Sequence, residues 1–245
     1  MSNIGKEFRL AEFFNKLDNR TLLLDTSDLA SLGLTEVAAR LWPSLEKLDN
    51  QLDALIVNPG QMTRLAERLK GKSLITRLDW TNLLRTQDFI LPATEIKHVA
   101  VATPEDVFSL GATAAVCYLL FGYDENMESS MIEYIATITR TCYKLGLPLL
   151  VDIYPTGPKI TKVNFDAAVE LAASMMQEAG VDVLIIPPVS LEKIKEMQRF
   201  IKIPILVRLA NKKEAKSFVV NGCAGISLAL KTPLQDITAI KKIVH

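Results

Sequence analysis

Short, continuously apolar runs recur along this chain of 245 residues, and most are followed by a stretch with helical periodicity. The runs that read as strands are Thr21–Asp25, Asp53–Asn58, Ser73–Leu78, His98–Val101, Ala114–Leu120, Leu147–Tyr154, Asp182–Ile186, Ile203–Arg208 and Gly225–Leu228. A strand open to water on one face alternates apolar and polar residues, whereas runs apolar throughout suit parallel strands covered on both faces. Between them, Leu34–Leu48, Asn126–Leu145 and Phe165–Ala179 carry helical spacing, and Thr103-Pro104-Glu105-Asp106 opens a short helix with an N-cap, a first-turn proline and early acids. Gly111, Gly146, Gly180 and Gly222 fall where helices should stop. Repeated βα units build either an open doubly wound sheet or a closed barrel. After Asp25 the chain reads Thr26-Ser27-Asp28-Leu29, with no glycine-rich nucleotide loop. The expectation is therefore an α/β chain folded as a (β/α)8 TIM barrel, with residues 1–245 as one domain. The His98–Val101 run is one too many for eight staves and is expected as an extra edge piece.

Charge and composition exclude several classes. Lys plus Arg and Asp plus Glu are both 28, so there is no basic footprint for nucleic acid and no cationic face for a membrane. The longest apolar stretch, Ala112–Phe121, is about half of the roughly 20 residues a bilayer span needs. The first residues lack the apolar core of a secretory signal, and the three cysteines, Cys117, Cys142 and Cys223, are odd in number and widely spaced. Both features predict a cytoplasmic protein with reduced core thiols. Only two histidines are present, one of them the last residue, so neither a histidine metal site nor a histidine triad is expected.

In a barrel of this kind chemistry belongs to the carboxyl ends of the strands. Those positions hold Asp25, Asn58, Arg77, Asp79, Asp152, Tyr154, Arg208 and Ser227. Residues two apart on a strand face the same way, so Arg77 with Asp79, and Asp152 with Tyr154, can both point inward. Asp25 follows Leu22-Leu23-Leu24 and Asp152 lies between Val151 and Ile153, so each needs a cationic or hydrogen-bonding partner. The competing reading for each charged residue is a solvated loop position or half of a structural ion pair. Three carboxylates can hold a hard divalent ion through oxygen. Equally, the two arginines can neutralise two of them and leave a carboxylate-binding or sugar-binding site.

Several segments resemble a known family. Gly5-Lys6-Glu7-Phe8-Arg9-Leu10, Leu22-Leu23-Leu24-Asp25, Val101 to Asp106 with Leu110-Gly111-Ala112, Tyr154-Pro155-Thr156-Gly157-Pro158, Gly180-Val181-Asp182-Val183 and Ala239 to His245 are similar, in order, to the DeoC/LacD-type class I aldolases. Within that family the likeness is to the archaeal-type fructose-1,6-bisphosphate aldolases. The resemblance implies a (β/α)8 barrel, a homo-oligomer, no cofactor, and an aldol reaction through a lysine Schiff base assisted by an aspartate and a tyrosine. It puts catalytic roles on Asp25, for protons around substrate hydroxyls, and on Tyr154, as general acid or base. Arg77, Asp79, Asp152, Arg208 and Ser227 are left as substrate-binding candidates.

Departures from the family pattern bear on the reaction. Thr26-Ser27 stands for His-Gly after the first strand, and Thr156 for the arginine of Tyr-Pro-Arg-Gly. The Schiff-base lysine falls on Ile185, which has no amine to form an imine. Glycine loops that cradle phosphate are replaced around Arg208-Leu209-Ala210-Asn211 and Ala229-Leu230-Lys231. Three readings follow. The amine has moved to Lys159, Lys212 or Lys213; the pocket has been rebuilt for chemistry without an imine; or the chain is a non-catalytic or repurposed barrel that binds a ligand. The expectation taken forward is an aldolase-family carbon–carbon lyase homologue for a small sugar-like or phosphorylated carbonyl compound, with ordinary Schiff-base catalysis in doubt.

Overall fold

Leu22 and Leu24 face one way from their strand while Leu23 and Asp25 face the other, and both faces are buried. That double burial is why the runs are apolar throughout. The structure is a computed structural model that describes residues 3–33, 36, 39, 43, 48, 50–64, 66–209 and 211–245. Its strands are β1 (Thr21–Asp25), β2 (Ala54–Val57), β3 (Ser73–Arg77), β4 (Asp79–Thr81), β5 (His98–Ala100), β6 (Ala114–Phe121), β7 (Leu149–Pro155), β8 (Val183–Ile186), β9 (Ile205–Leu209) and β10 (Gly225–Ala229). Eight of them close a parallel barrel in the order β1-β10-β9-β8-β7-β6-β3-β2, and β2 returns to β1. The (β/α)8 barrel is thus the architecture of the chain.

The extra run is β5, which pairs antiparallel with β4 outside the barrel, Asp79 opposite Ala100. Helices follow the expected segments closely: Glu125–Leu145 is capped by Asp124 and ends at Gly146 in the left-handed region, and Phe165–Glu178 follows Asn164. Thr103 and Asp106 form a full capping box ahead of Pro104–Ser109. The expected Leu34–Leu48 helix lies largely outside the described residues. An amino-terminal helix, Ile4–Phe13, was not anticipated; Asn3 caps it.

Two cores result. The outer one fills the space between strands and helices, and holds the free, buried Cys117, Cys142 and Cys223. The inner one fills the barrel with Leu23, Ile56, Ile75, Val116, Leu150 and Ile185, closed from below by Phe13 and Phe14. Those two rings lie 5.1 Å apart at the amino ends of the strands. With the lower barrel filled, the polar side chains inside the barrel lie at its upper end.

Candidate functional site at the carboxyl end of the barrel

Five inward rows turn from apolar to polar at their carboxyl ends, while β8 stays apolar through Val183 and Ile185. Leu23 gives way to Asp25 on β1, Ile75 to Arg77 on β3, Val116 to Tyr118 on β6, Leu150 to Asp152 and Tyr154 on β7, and Leu206 to Arg208 on β9. Register aligns these rungs: Asp152 is opposite both Tyr118 and Ile185, and Arg208 is opposite Ser227.

Arg77 is the hub, although only 1% of its surface is exposed. Its Nη2 donates to Asp25 Oδ2 at 2.8 Å and to Asp152 Oδ2 at 3.2 Å, while its Nε donates to the Ser27 hydroxyl at 2.8 Å. Ser27 in turn donates both its backbone N–H (2.8 Å) and its hydroxyl (2.6 Å) to Asp25 Oδ1. Arg208 closes the ring from β9: Nη1 pairs with Asp152 Oδ1, and Nη2 donates to the Ile153 carbonyl at 3.1 Å. Both guanidiniums lie over tyrosine rings, Arg77 at 3.8 Å from the Tyr118 centroid and Arg208 at 3.7 Å from that of Tyr154. The two tyrosines meet edge to face at 5.4 Å.

The electrostatics follow from burial set against this pairing. Burial pushes the Asp152 carboxyl up, and Arg208 and Arg77 work against that push. Burial also opposes the charge on Arg77, but Tyr118, Asp25, Asp152 and Asp79 outweigh it and hold the guanidinium protonated. The Tyr154 phenol is pushed well above its ordinary value by burial, so it stays protonated in the neutral range and keeps an O–H for hydrogen bonding. One further carboxyl belongs here. Burial, with Asp25 and Asp152 adding to it, pushes Asp28 up to about 7, against the pull of Arg77 and Arg208.

Of the residues singled out from the sequence, Asp25, Arg77, Asp152, Tyr154 and Arg208 come together in this network. Ser227 is buried beside Arg208 on the next strand but shares no hydrogen bond with the others. Asn58 holds the β1 turn, donating from Nδ2 to the Ser27 carbonyl at 3.0 Å. Asp79 is not in the network. Its Oδ2 accepts from the Tyr118 backbone N–H at 2.8 Å and pairs with His98 Nε2 at 2.8 Å. The reason is a strand break: β3 ends at Arg77, so the two-residue rule does not carry over to Asp79 on β4. Lys159 pairs with Glu125, and Lys212 with Asp236, both with about half of the side chain exposed, and Lys213 is exposed as well. Sequence reasoning passed over Ser27, Asp28 and Tyr118. Tyr118 was within reach, because it continues the inward row of Ala114 and Val116.

The turn after Tyr154 is held by close backbone contact. The Gly157 N–H donates to the Phe121 carbonyl at 3.0 Å, and a Cβ at Gly157 would lie 2.0 Å from the Gly122 carbonyl carbon. Only glycine allows that approach.

Comparison with known proteins agrees with this architecture. Residues 16–218 match the model of the DeoC/LacD family aldolases, and the chain belongs to that family. A Saccharolobus solfataricus protein named as an uncharacterized aldolase is 26% identical over 99% of this chain and 95% of its own length. The 2-amino-3,7-dideoxy-D-threo-hept-6-ulosonate synthase 1 of Archaeoglobus fulgidus is 27% identical over 82% of this chain and 77% of its own. Among solved structures, an archaeal fructose-1,6-bisphosphate aldolase with its catalytic lysine bound to a carbinolamine intermediate superposes with a TM-score of 0.78. It is 21% identical, covering 98% of this chain and 99% of that one, and shares the fold.

Proposed function

We propose that this DeoC/LacD-family barrel, working as one domain over residues 1–245, acts on a small carbonyl compound carrying a phosphate or carboxylate, without a lysine imine. The observation that carries the reading is Ile185. It is completely buried in the inner core, in register with Asp152 and Leu206, at the level where the charged network begins. An isoleucine offers no electron pair to a carbonyl carbon, so activation has to come from charge and proton donation. Arg77 gives its Nε and Nη2 to Ser27, Asp25 and Asp152 and serves as a clamp, with its Nη1 buried and unpaired among the described residues. Arg208 keeps 19% of its side chain exposed and is the guanidinium that meets an anionic group. Tyr154, beneath Arg208, supplies a neutral phenol that hydrogen-bonds the polarised carbonyl oxygen, and Asp25 orients hydroxyls. Homo-oligomeric assembly and a cytoplasmic setting go with this reading through the family likeness. Among the described residues no helix is long and apolar enough to cross a membrane.

A second reading has its own support. Asp25 and Asp152 already have guanidinium partners, as a ligand-binding barrel without catalysis would allow. The test is turnover and borohydride trapping with fructose 1,6-bisphosphate and dihydroxyacetone phosphate, for the wild type and Ile185→Lys. We expect no trapped adduct and turnover well below about 1 per second in the wild type. A borohydride-stable adduct on the wild-type chain would overturn the amine-free reading. Absence of turnover on every phosphorylated or free sugar tried, with binding retained, would favour the second.

A further inference from the structure

Asp79 lies outside the charged network but holds one of its walls. In a parallel ladder that bonds the Leu78 N–H to the Val116 carbonyl, the Leu78 carbonyl is the next acceptor, for the Tyr118 N–H. Here that carbonyl accepts instead from Val101 at 2.8 Å and Ala102 at 3.1 Å, just past β5. The Asp79 carboxylate takes its place, and Oδ2 accepts the Tyr118 N–H at 2.8 Å. The same oxygen meets His98 Nε2 at 2.8 Å. A carboxylate only accepts, so the imidazole points an N–H at it. The Asp79 side chain is fully buried, and the His98 ring is steadied edge-on by Tyr134 at 5.1 Å.

The strand pair that carries these two residues is also fastened across the site. The Ser31 hydroxyl donates to the Thr81 carbonyl at 2.6 Å, the Trp80 indole N–H to the Ala30 carbonyl at 3.1 Å, and Arg85 Nε to the Ser31 carbonyl at 3.0 Å. Ala30 and Ser31 lie in the short Leu29–Leu32 helix that follows the turn joining Asp25 to Ser27. The β4–β5 pair therefore links the β1 turn to β6, the same two elements that Arg77 touches through Asp25, Ser27 and Tyr118.

Tyr118 carries more than its own position. The Arg77 guanidinium lies over its ring, and with Nη1 unpaired among the described residues that ring supplies support that hydrogen bonds leave incomplete. Its edge contact with Tyr154 reaches the ring beneath Arg208. One ring thus supports Arg77 directly and Arg208 through Tyr154. Groups that meet a ligand keep their geometry only when a surrounding layer locks them.

We infer that Asp79 and His98 are positioning residues of this site: the imidazole fixes the carboxylate, and the carboxylate fixes the Tyr118 backbone and with it the ring beneath the Arg77 guanidinium. The inference rests on the reading of the strand-end network as the place where an anion is met.

Two variants of His98 test it. His98→Ala removes the N–H donor, whereas His98→Gln keeps an amide N–H close to the place of Nε2. Hydrogen exchange at the Arg77 Nε–H, assigned by its loss in Arg77→Met, should quicken on the order of tenfold in His98→Ala and return close to wild type in His98→Gln. The change is read relative to the Leu22 N–H, which is bonded to Asp53 at the far end of the barrel and reports global opening. Sulfate, which does not titrate near neutrality and needs no turnover, should bind about fivefold more weakly to His98→Ala by calorimetry, with the same rescue. Arg77 exchange that only keeps pace with Leu22 would overturn the inference. So would equal sulfate affinity in all three proteins, or a glutamine variant that behaves as the alanine one does. If sulfate binds none of them while the Arg77 signal responds and is rescued, the positioning role stands and the reading of Arg208 fails. The outcome of borohydride trapping is independent of each.

Discussion

The two ends of the barrel both carry buried or half-buried acids and basic partners, but they use them differently. At the amino end, Asp182 accepts from the Leu149 backbone N–H at 2.8 Å and pairs with Lys6 at 2.7 Å. Asp53 accepts from the Leu22 N–H at 2.6 Å and pairs with Lys241 at 2.5 Å. Each acid finishes a strand's hydrogen bonding and pairs with a lysine from a terminal helix, Lys6 buried and Lys241 partly exposed, and the barrel between them is stopped by Phe13 and Phe14. At the carboxyl end, Asp25 and Asp152 bond to arginines inside the barrel. Acids that terminate strands stabilise a fold. Acids held against two guanidiniums inside the barrel form a charged cluster and not a strand end, and the difference lies in partners and not in residue type.

The largest expected effect comes from removing the clamp at the carboxyl end. Arg77→Met leaves Asp25 without its guanidinium and Asp152 with only Arg208, in a region almost closed to water. Breaking a buried pair from one side costs about 3–5 kcal/mol, which lowers Tm by roughly 10 °C in a domain of this size. Thermal unfolding at neutral pH checks it, and a loss below about 1 kcal/mol would mean that the network relaxes around the missing cation.

At the amino end the counterpart is the plug. Phe13→Ala should cost about 3 kcal/mol through the cavity it leaves under the inner core, while leaving sulfate affinity at the carboxyl end unchanged. A coupled loss of stability and binding would show that the two ends are not separate. Asp182→Asn is milder. The amide oxygen still accepts from Leu149, and only the charge pairing with Lys6 is lost, so a loss of about 1 kcal/mol in denaturant unfolding is expected.

The sequence made most of the barrel legible, because strands covered on both faces leave continuous apolar runs that loops do not. Asp25 and Asp152 stood out for the same reason, as charges set against such runs. What escaped depends on contacts between distant segments. β4 is only three residues long and exists through its pairing with β5. The separation of Asp79 from Arg77 depends on that pairing too, since Leu78 still donates to the Val116 carbonyl at 2.9 Å before the chain turns away. Arg77 and Arg208 were visible as residues but not as clamp and contact, a division set by which carboxylates each one reaches. Asp28 was invisible because it lies three residues past the strand end, in a segment with no pattern of its own.

The smallest expected effect is the one that best separates the two ends, and it is read as a slope against pH. Folded Asp28 keeps its proton up to about 7, pushed there by burial with Asp25 and Asp152 adding to it, while the ordinary value is 3.8. Across that window the unfolded chain binds fewer protons than the folded one. Stability is therefore greatest below the window, declines as pH rises through it, and levels off above about 7. Asp28→Asn cannot ionise, so the difference in stability between the variant and the wild type should be near zero at low pH and favour the variant above neutrality. Partial exposure of Asp28 reduces the full linkage to about 1 kcal/mol or less. Urea unfolding of both proteins at several pH values isolates the term, because the other titrating groups are common to the pair and cancel. A variant that tracks the wild type at every pH would place Asp28 among ordinary solvated carboxylates, and the carboxyl end would then hold its charge as passively as the amino end does.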